Sequence, residues 1–297
     1  MSNNKNLSTV NNDTVSPIDR FIGYMETYER NILPDLLSEF KIPPAKFKQI
    51  VISELKKNSK LIEAFIQNPI SMFASILAGA EIGLIPSELL GHFFLIPRNI
   101  KQADGKYKLT VCPQIGYKGI IEILQRSGDI TRIHTEIVYE GDEFEEISGL
   151  EPTILHVKKS NTRTADKITH VYAVAKNKFG EKEFTVLTRQ EILAIQSLSP
   201  YNNDLYFNDK KDPMRWMERK TAIFQLAKML PKDYYATKAI EIDNRITGGA
   251  ILSLQNEIES KNNQILILET ENNNIKKNNS AFKDITSLMN NTEENEQ

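Results

Sequence analysis

Three groups of residues in this chain have the chemistry to act on a ligand: four histidines, a run of acids, and two cationic blocks flanked by aromatics. His92, His134, His156 and His170 stand singly in strand-like segments without HxH or HxxxH spacing, so a metal site would need several strands. Histidines satisfied within the fold are the simpler reading. Asp142, Glu143, Glu145 and Glu146, around Phe144, have the composition of a two-metal nuclease site. They follow Gly141 at an expected hairpin end, which favours a solvated acidic loop. Cys112 is the single cysteine, so neither an intramolecular disulfide framework nor a multi-cysteine zinc motif can form. It falls on an expected strand without an evident histidine partner. GxSxG, P-loop and GxGxxG patterns are absent. Enzyme action is the weaker hypothesis, a metal-dependent nuclease being its best form.

The cations are more informative. From Arg98 to Arg132 there are seven basic and three acidic residues, and from Lys210 to Lys232 seven and two. From Ala250 onward the balance reverses to four and eight. A net charge of −2 over 297 residues therefore conceals basic blocks and an acidic tail, which suits an anionic partner. Lys106 and Lys108 share one strand face, Lys118 and Arg126 lie on the next helix, and Arg132 on the strand after it. On one antiparallel sheet these elements would line a groove. The plain alternative is i,i+4 pairing of Lys118, Glu122 and Arg126 on a solvated helix face. Tyr117 joins Ile120, Ile121 and Leu124 in a helical stripe and reads as a core anchor.

In the segment PMRWMERKTAIFQLAKMLP, the stripe Ile223, Ala227, Leu230 runs back through Lys220 to Trp216. A lysine on an apolar stripe must reach solvent or an anion. Arg215 and Arg219 lie a turn apart on an adjacent face. Cations beside an aromatic suit a single nucleic-acid strand, phosphates on the cations and a base on the ring. Trp216 as plain core is an equal reading.

The elements that must position these residues are legible in the pattern. Residues 1–16, rich in Asn, Ser and Thr, are expected to be disordered. Phe21, Tyr24, Met25 and Tyr28 predict a helix, as do Leu33, Leu36, Leu37 and Phe40. Pro43-Pro44 breaks the run before a further helix containing Phe47, Ile50, Val51 and Leu55. Another opens at Pro69. His92–Pro97 and Lys106–Cys112 read as a hairpin around Ala103-Asp104-Gly105. A helix over Ile115–Ser127 follows, closed by Gly128. Ile130–Tyr139, Thr153–Val157, Ile168–Ala175 and Glu183–Leu187 read as strands of an antiparallel sheet. Thr188 caps a helix with Glu191 completing a capping box, and Pro213–Leu230 forms a further helix, ended by Pro231. From Ala250 onward eleven residues are Asn. There, Ile265–Leu268 and the stretch Phe282, Ile285, Leu288, Met289 are apolar islands. They are open to two readings: a docking helix over 281–289, or residual stripes of a short coiled coil.

The fold class is thus α+β: an antiparallel sheet packed against helices, a helical N-terminal region and a C-terminal tail. The expected boundaries are 1–16, a core over 17–247 and a flexible tail over 248–297. The lone cysteine, the lack of any apolar run of about 20 residues and the polar amino terminus point to a reducing cytoplasm, with no membrane partner.

The stretch QIGYKGIIEILQRSGDI (Gln114–Ile130) resembles the central signature of the RecT family of phage single-strand annealing proteins, related to Red beta. HFFLIPR before it, VYEGDEF after it, VYAVAKNKFG and RKTAIFQLAKMLP agree in order and spacing, over roughly Ile18 to Asp243. The resemblance implies an ATP-independent recombinase of DNA recombination and repair that binds single-stranded DNA and the annealed duplex intermediate. It also implies assembly into homo-oligomeric rings or filaments, beside a phage 5′→3′ exonuclease and a host single-strand-binding protein. No cofactor is required, Mg²⁺ at most modulating annealing. Carried over residue by residue, it places Lys118, Arg126, Arg219 and Lys220 at DNA. Arg98, Lys106, Lys108 and Arg132 are further candidates, with Arg215 and Trp216 beside them. Such a protein must hold backbones while leaving base edges free. The rivals are the nuclease and a phage scaffold that binds no DNA.

Overall fold

The computed structural model describes residues 16–101, 105–149, 151–198 and 205–247, with side chains in the last helix described to Asn244. The expected disordered segment before Ser16, the Ala103-Asp104 turn and the tail with its docking helix lie outside the described residues.

Five helices come first: α1 (Pro17–Asn31), α2 (Leu33–Leu37), α3 (Pro44–Lys57), α4 (Ser59–Gln67) and α5 (Pro69–Glu81). Their starts are chemically marked. Ser16, Asn58 and Asn68 accept hydrogen bonds from first-turn amides of α1, α4 and α5, and α1, α2, α3 and α5 each place proline in the first turn. In α1 the buried residues are Phe21, Met25 and Tyr28; Phe73 of α5 stacks between Phe21 and Tyr28, at 5.6 and 4.9 Å. Helix α5 is buried around nearly its whole circumference, its Ala and Gly residues admitting close neighbours. No single helix among the described residues is long and apolar enough to cross a membrane. The pair α4 and α5 passes only jointly, across a 115° bend.

The strands are β1 (Phe93–Lys101), β2 (Tyr107–Ile115), β3 (Ile130–Tyr139), β4 (Glu143–Ile147), β5 (Thr153–Val157), β6 (Ile168–Asn177) and β7 (Lys182–Thr188). Helix α6 (Tyr117–Arg126) lies between β2 and β3, and α7 (Arg189–Ser197), α8 (Trp216–Met229) and α9 (Tyr234–Thr247) follow β7. Thr188 and Glu191 form the expected capping box. The α+β class and antiparallel pairing agree with the sequence pattern.

The strands nonetheless divide into three sheets: β1-β2, β3-β6-β7 and β4-β5. β2 does not extend the sheet because helices cover its outer edge. Val111 N–H donates to Ser71 Oγ and Val111 C=O accepts from Ser75 Oγ, each at 3.0 Å, while Leu109 N–H donates to Gln67 Oε1. Side-chain partners replace a neighbouring strand. Helix α8 packs on β6, β7 and β3, and the core runs from Phe21 to Ile242.

Asp142 is not part of a solvated acidic loop. Its side chain is buried, Oδ1 accepting from the Lys159 and Ser160 amides and from Arg163, Oδ2 from the Tyr139 amide, with His156 Nε2 at 3.2 Å. Burial opposes its ionisation, but these hydrogen bonds outweigh it and hold the pKa at about 2. Glu143, Glu145 and Glu146 belong to strand β4. His156 also contacts the Tyr172 hydroxyl, so this histidine is satisfied within the fold.

Candidate nucleic-acid interface

Glycine-rich GYKG, at the start of α6, is a packing device. Gly116 N–H donates to His92 C=O at 2.9 Å. A Cβ on Gly116 would stand 2.1 Å from the Gly91 carbonyl oxygen, and one on Gly119 2.2 Å from that of His92. Only glycine lets the Gly91–His92 backbone lie so close to the helix. That contact sets the first turn of α6, where Tyr117 is half-buried and Lys118 exposed.

Tyr117 stacks on Trp216, the first residue of α8, with ring centroids 4.7 Å apart and an interplanar angle of 4°. Trp216 remains 41 % exposed, so it is neither plain core nor isolated. Arg219, one turn along α8, has its guanidinium 5.8 Å from the indole centroid. It also reaches the free edge of β3, donating to Thr135 C=O and to Glu136 Oε1, each at 2.5 Å. Lys158 Nζ lies 2.5 Å from the other Glu136 oxygen. Burial disfavours the Glu136 charge, but the Lys158 and Ile137 N–H hydrogen bonds and the Arg219 charge hold its pKa at about 2. Tyr117, Trp216, Arg219, Glu136 and Lys158 thus form one continuous strip drawn from α6, α8, β3 and the segment after β5.

The other sequence candidates are distributed differently. Arg215 is 1 % exposed and left-handed (φ 60°), donating to Asp212 C=O and paired with Asp209; it orders the turn into α8 and is not a surface cation. Lys220 is mostly covered and pairs with Asp243 at 3.1 Å, so the cation on the apolar stripe found an internal anion. Arg126 lies over the Phe40 ring at 4.7 Å and donates to Ile82 C=O, fastening α6 to the end of α5. Arg98 donates to Gln114 across the β1-β2 hairpin. Lys106 is exposed and Lys108 half-buried on that hairpin, whereas exposed Arg132 belongs to the β3-β6-β7 sheet. The single sheet-lined groove is therefore not what unites these cations. Tyr117, Trp216 and Arg219 come together between α6 and α8, and Lys118 is exposed on the same first turn of α6.

Sequence reasoning missed Glu136 and Lys158; Tyr117 packs against the core, as its helical stripe suggests, and also braces the indole. The alternation Arg132, His134, Glu136 along β3 was visible as a polar strand face. Nothing local marks Lys158.

Residues 45–257, more than half of the chain, match the model of the RecT family. The chain belongs to the RecT family. It is also 35 % identical over 177 residues to Protein RecT of Escherichia coli (strain K12), which is 59 % of this chain and 63 % of that protein. The match thus spans less than two thirds of this curated relative. All the strands and the α6–α8 strip fall inside the RecT family match, as does α9; α1 and α2 precede it.

Proposed function

We propose that this RecT family member binds single-stranded DNA and anneals it to a complementary strand during homologous recombination, without nucleotide hydrolysis. The observation that carries this reading is the indole of Trp216, open on the surface, braced by Tyr117 and flanked by Arg219. A surface ring beside a guanidinium offers a base a stacking face and its phosphate a cation, independently of sequence. Lys118, at the N-terminal turn of α6, adds a second charge where the helix dipole already favours an anion. Base pairing itself supplies the specificity and driving force of annealing, so contacts restricted to backbone and base faces suffice.

In this reading the protein acts as a homo-oligomer, ring or filament, which multiplies a modest local charge along the strand. A 5′→3′ exonuclease that exposes the strand and a host single-strand-binding protein are its partners, and Mg²⁺ modulates rather than enables the reaction. The nuclease alternative is poorly supported: Asp142 spends both oxygens on protein donors.

The test is annealing of two complementary fluorescent oligonucleotides, without nucleotide cofactor, over a salt series. Acceleration above the spontaneous rate with strands left uncleaved supports the reading. Folded protein that binds no DNA at low salt would instead favour a scaffold role.

A further inference from the structure

Arg132, His134 and Glu136 alternate along β3 and project from one sheet face. Two cations from elsewhere converge there: Lys158 Nζ on Glu136 Oε2 and Arg219 Nη2 on Oε1. The charges of Arg219, Arg132 and Lys158 are all felt at His134. One carboxylate thus sits among cationic groups from three parts of the chain, at the end of the strip that begins with Tyr117 and Trp216.

We propose that this cluster is a subsite for one backbone phosphate, with Lys158 and Arg219 as its ligands and Glu136 as a resident anion that the phosphate displaces. The proposal rests on the single-strand reading above. A carboxylate and a phosphodiester each present two anionic oxygens on one centre, so cations arranged around the first accept the second. Exchange is favourable for two reasons. Lys158 is 51 % exposed in its side chain, so its ammonium can turn from Glu136 to an incoming phosphate without leaving water, even though Glu136 and Arg219 are mostly covered. Arg219 keeps Nη1 on Thr135 C=O and Nε on Met214 C=O, so the guanidinium stays aimed when Glu136 lets go. Its distance from Trp216 places this phosphate next to the base stacked on the indole. In the absence of DNA, Glu136 relieves repulsion among the cations. When DNA is bound, it competes for them, which weakens the hold on a single strand and eases its release into duplex.

Fluorescein-labelled oligothymidylate titrated into full-length wild type, Glu136→Gln, Lys158→Ala and the double variant, over a salt series, tests this. Glu136→Gln keeps the shape and removes the competing charge, and binding tightens about fivefold. Lys158→Ala weakens binding by a similar factor and lowers the salt slope by about 0.7, the value for one single-strand phosphate. In the double variant the gain from Glu136→Gln shrinks. Unchanged or weaker binding by Glu136→Gln, in protein whose circular-dichroism melt shows it folded, overturns the displaced anion. Should that variant not fold, Lys158→Ala decides alone: an unchanged affinity and slope overturn the subsite. Wild type that fails to bind at low salt overturns the single-strand reading itself, whereas binding wild type with unaltered variants overturns only the subsite.

Discussion

Trp216 lies flat on Tyr117, 4.7 Å between centroids and 4° between planes, so the α8 indole is braced from α6 while 41 % of the residue stays exposed beside the Arg219 guanidinium. A ring held this way loses little conformational freedom when a base stacks on it, which is the physical advantage of preorganisation.

Replacing that ring tests its role directly. Trp216→Ala should weaken single-strand binding by about 1–3 kcal/mol, the usual worth of one base–aromatic stack. Trp216 is also the single tryptophan, so oligonucleotide binding should quench the intrinsic fluorescence of the wild type. Unquenched emission at saturation, with full affinity in the alanine variant, would reduce the pair to a packing contact.

Lys118 and Lys220 look equivalent as basic residues of the signature blocks, but their surroundings separate them. Lys118→Ala should lower single-strand affinity and reduce the salt slope by about 0.7 while leaving the melting temperature nearly unchanged. Lys220→Ala takes the ammonium from Asp243, which is largely covered, and should cost about 1 kcal/mol of stability with a smaller effect on the slope. Thermal melts and salt-dependent titrations of both variants decide; the opposite assignment of effects would refute this division.

The glycines make a prediction about the fold. Gly119→Ala puts a methyl 2.2 Å from the His92 carbonyl oxygen and should destabilise by about 2 kcal/mol or more through backbone displacement. Gly23, exposed inside α1, has open space where a Cβ would stand. Gly23→Ala should stabilise by about 0.5–1 kcal/mol through helix propensity. Denaturant midpoints of the two variants should therefore move in opposite directions.

Glu218 is fully buried on α8, with one oxygen taking the Phe207 amide and the other without a hydrogen-bond partner among the described residues. Burial pushes its pKa above the ordinary 4.5, so the folded state holds this proton more tightly than the unfolded chain. The resulting penalty is absent below the unfolded value and grows as pH rises through the raised one. Glu218→Gln keeps the acceptor for Phe207 and removes the charge. It should raise stability by about 1 kcal/mol at pH 7 and by less at pH 4, read as the difference in melting temperature against wild type. An equal shift at both pH values would exclude linkage to this carboxyl.

Much of the architecture was legible before any coordinates. The helical stripe of Phe21, Met25 and Tyr28 and the Thr188–Glu191 capping box depend on neighbours within a few residues, where periodicity and capping act. The partition into three sheets was not legible. It depends on Ser71, Ser75 and Gln67 meeting the edge of β2, a side-chain event across some forty positions that strand propensity does not encode.

By itself, the chain's sequence determined the element types, the α+β class, the ordered blocks that mark the RecT family, and the presence of two basic segments with an aromatic between cations. Only the tertiary structure decided which of those cations remain available. Arg215 is spent on Asp209 and Asp212, Lys220 on Asp243, and Arg126 on the end of α5, whereas Lys118 stays at the surface. The same tertiary contacts set Trp216 on Tyr117 and brought Lys158 and Arg219 to one carboxylate. Charge and ring type are written in the residue, but availability depends on partners distant in sequence, because a buried or paired cation has already exchanged its water for a protein anion or carbonyl.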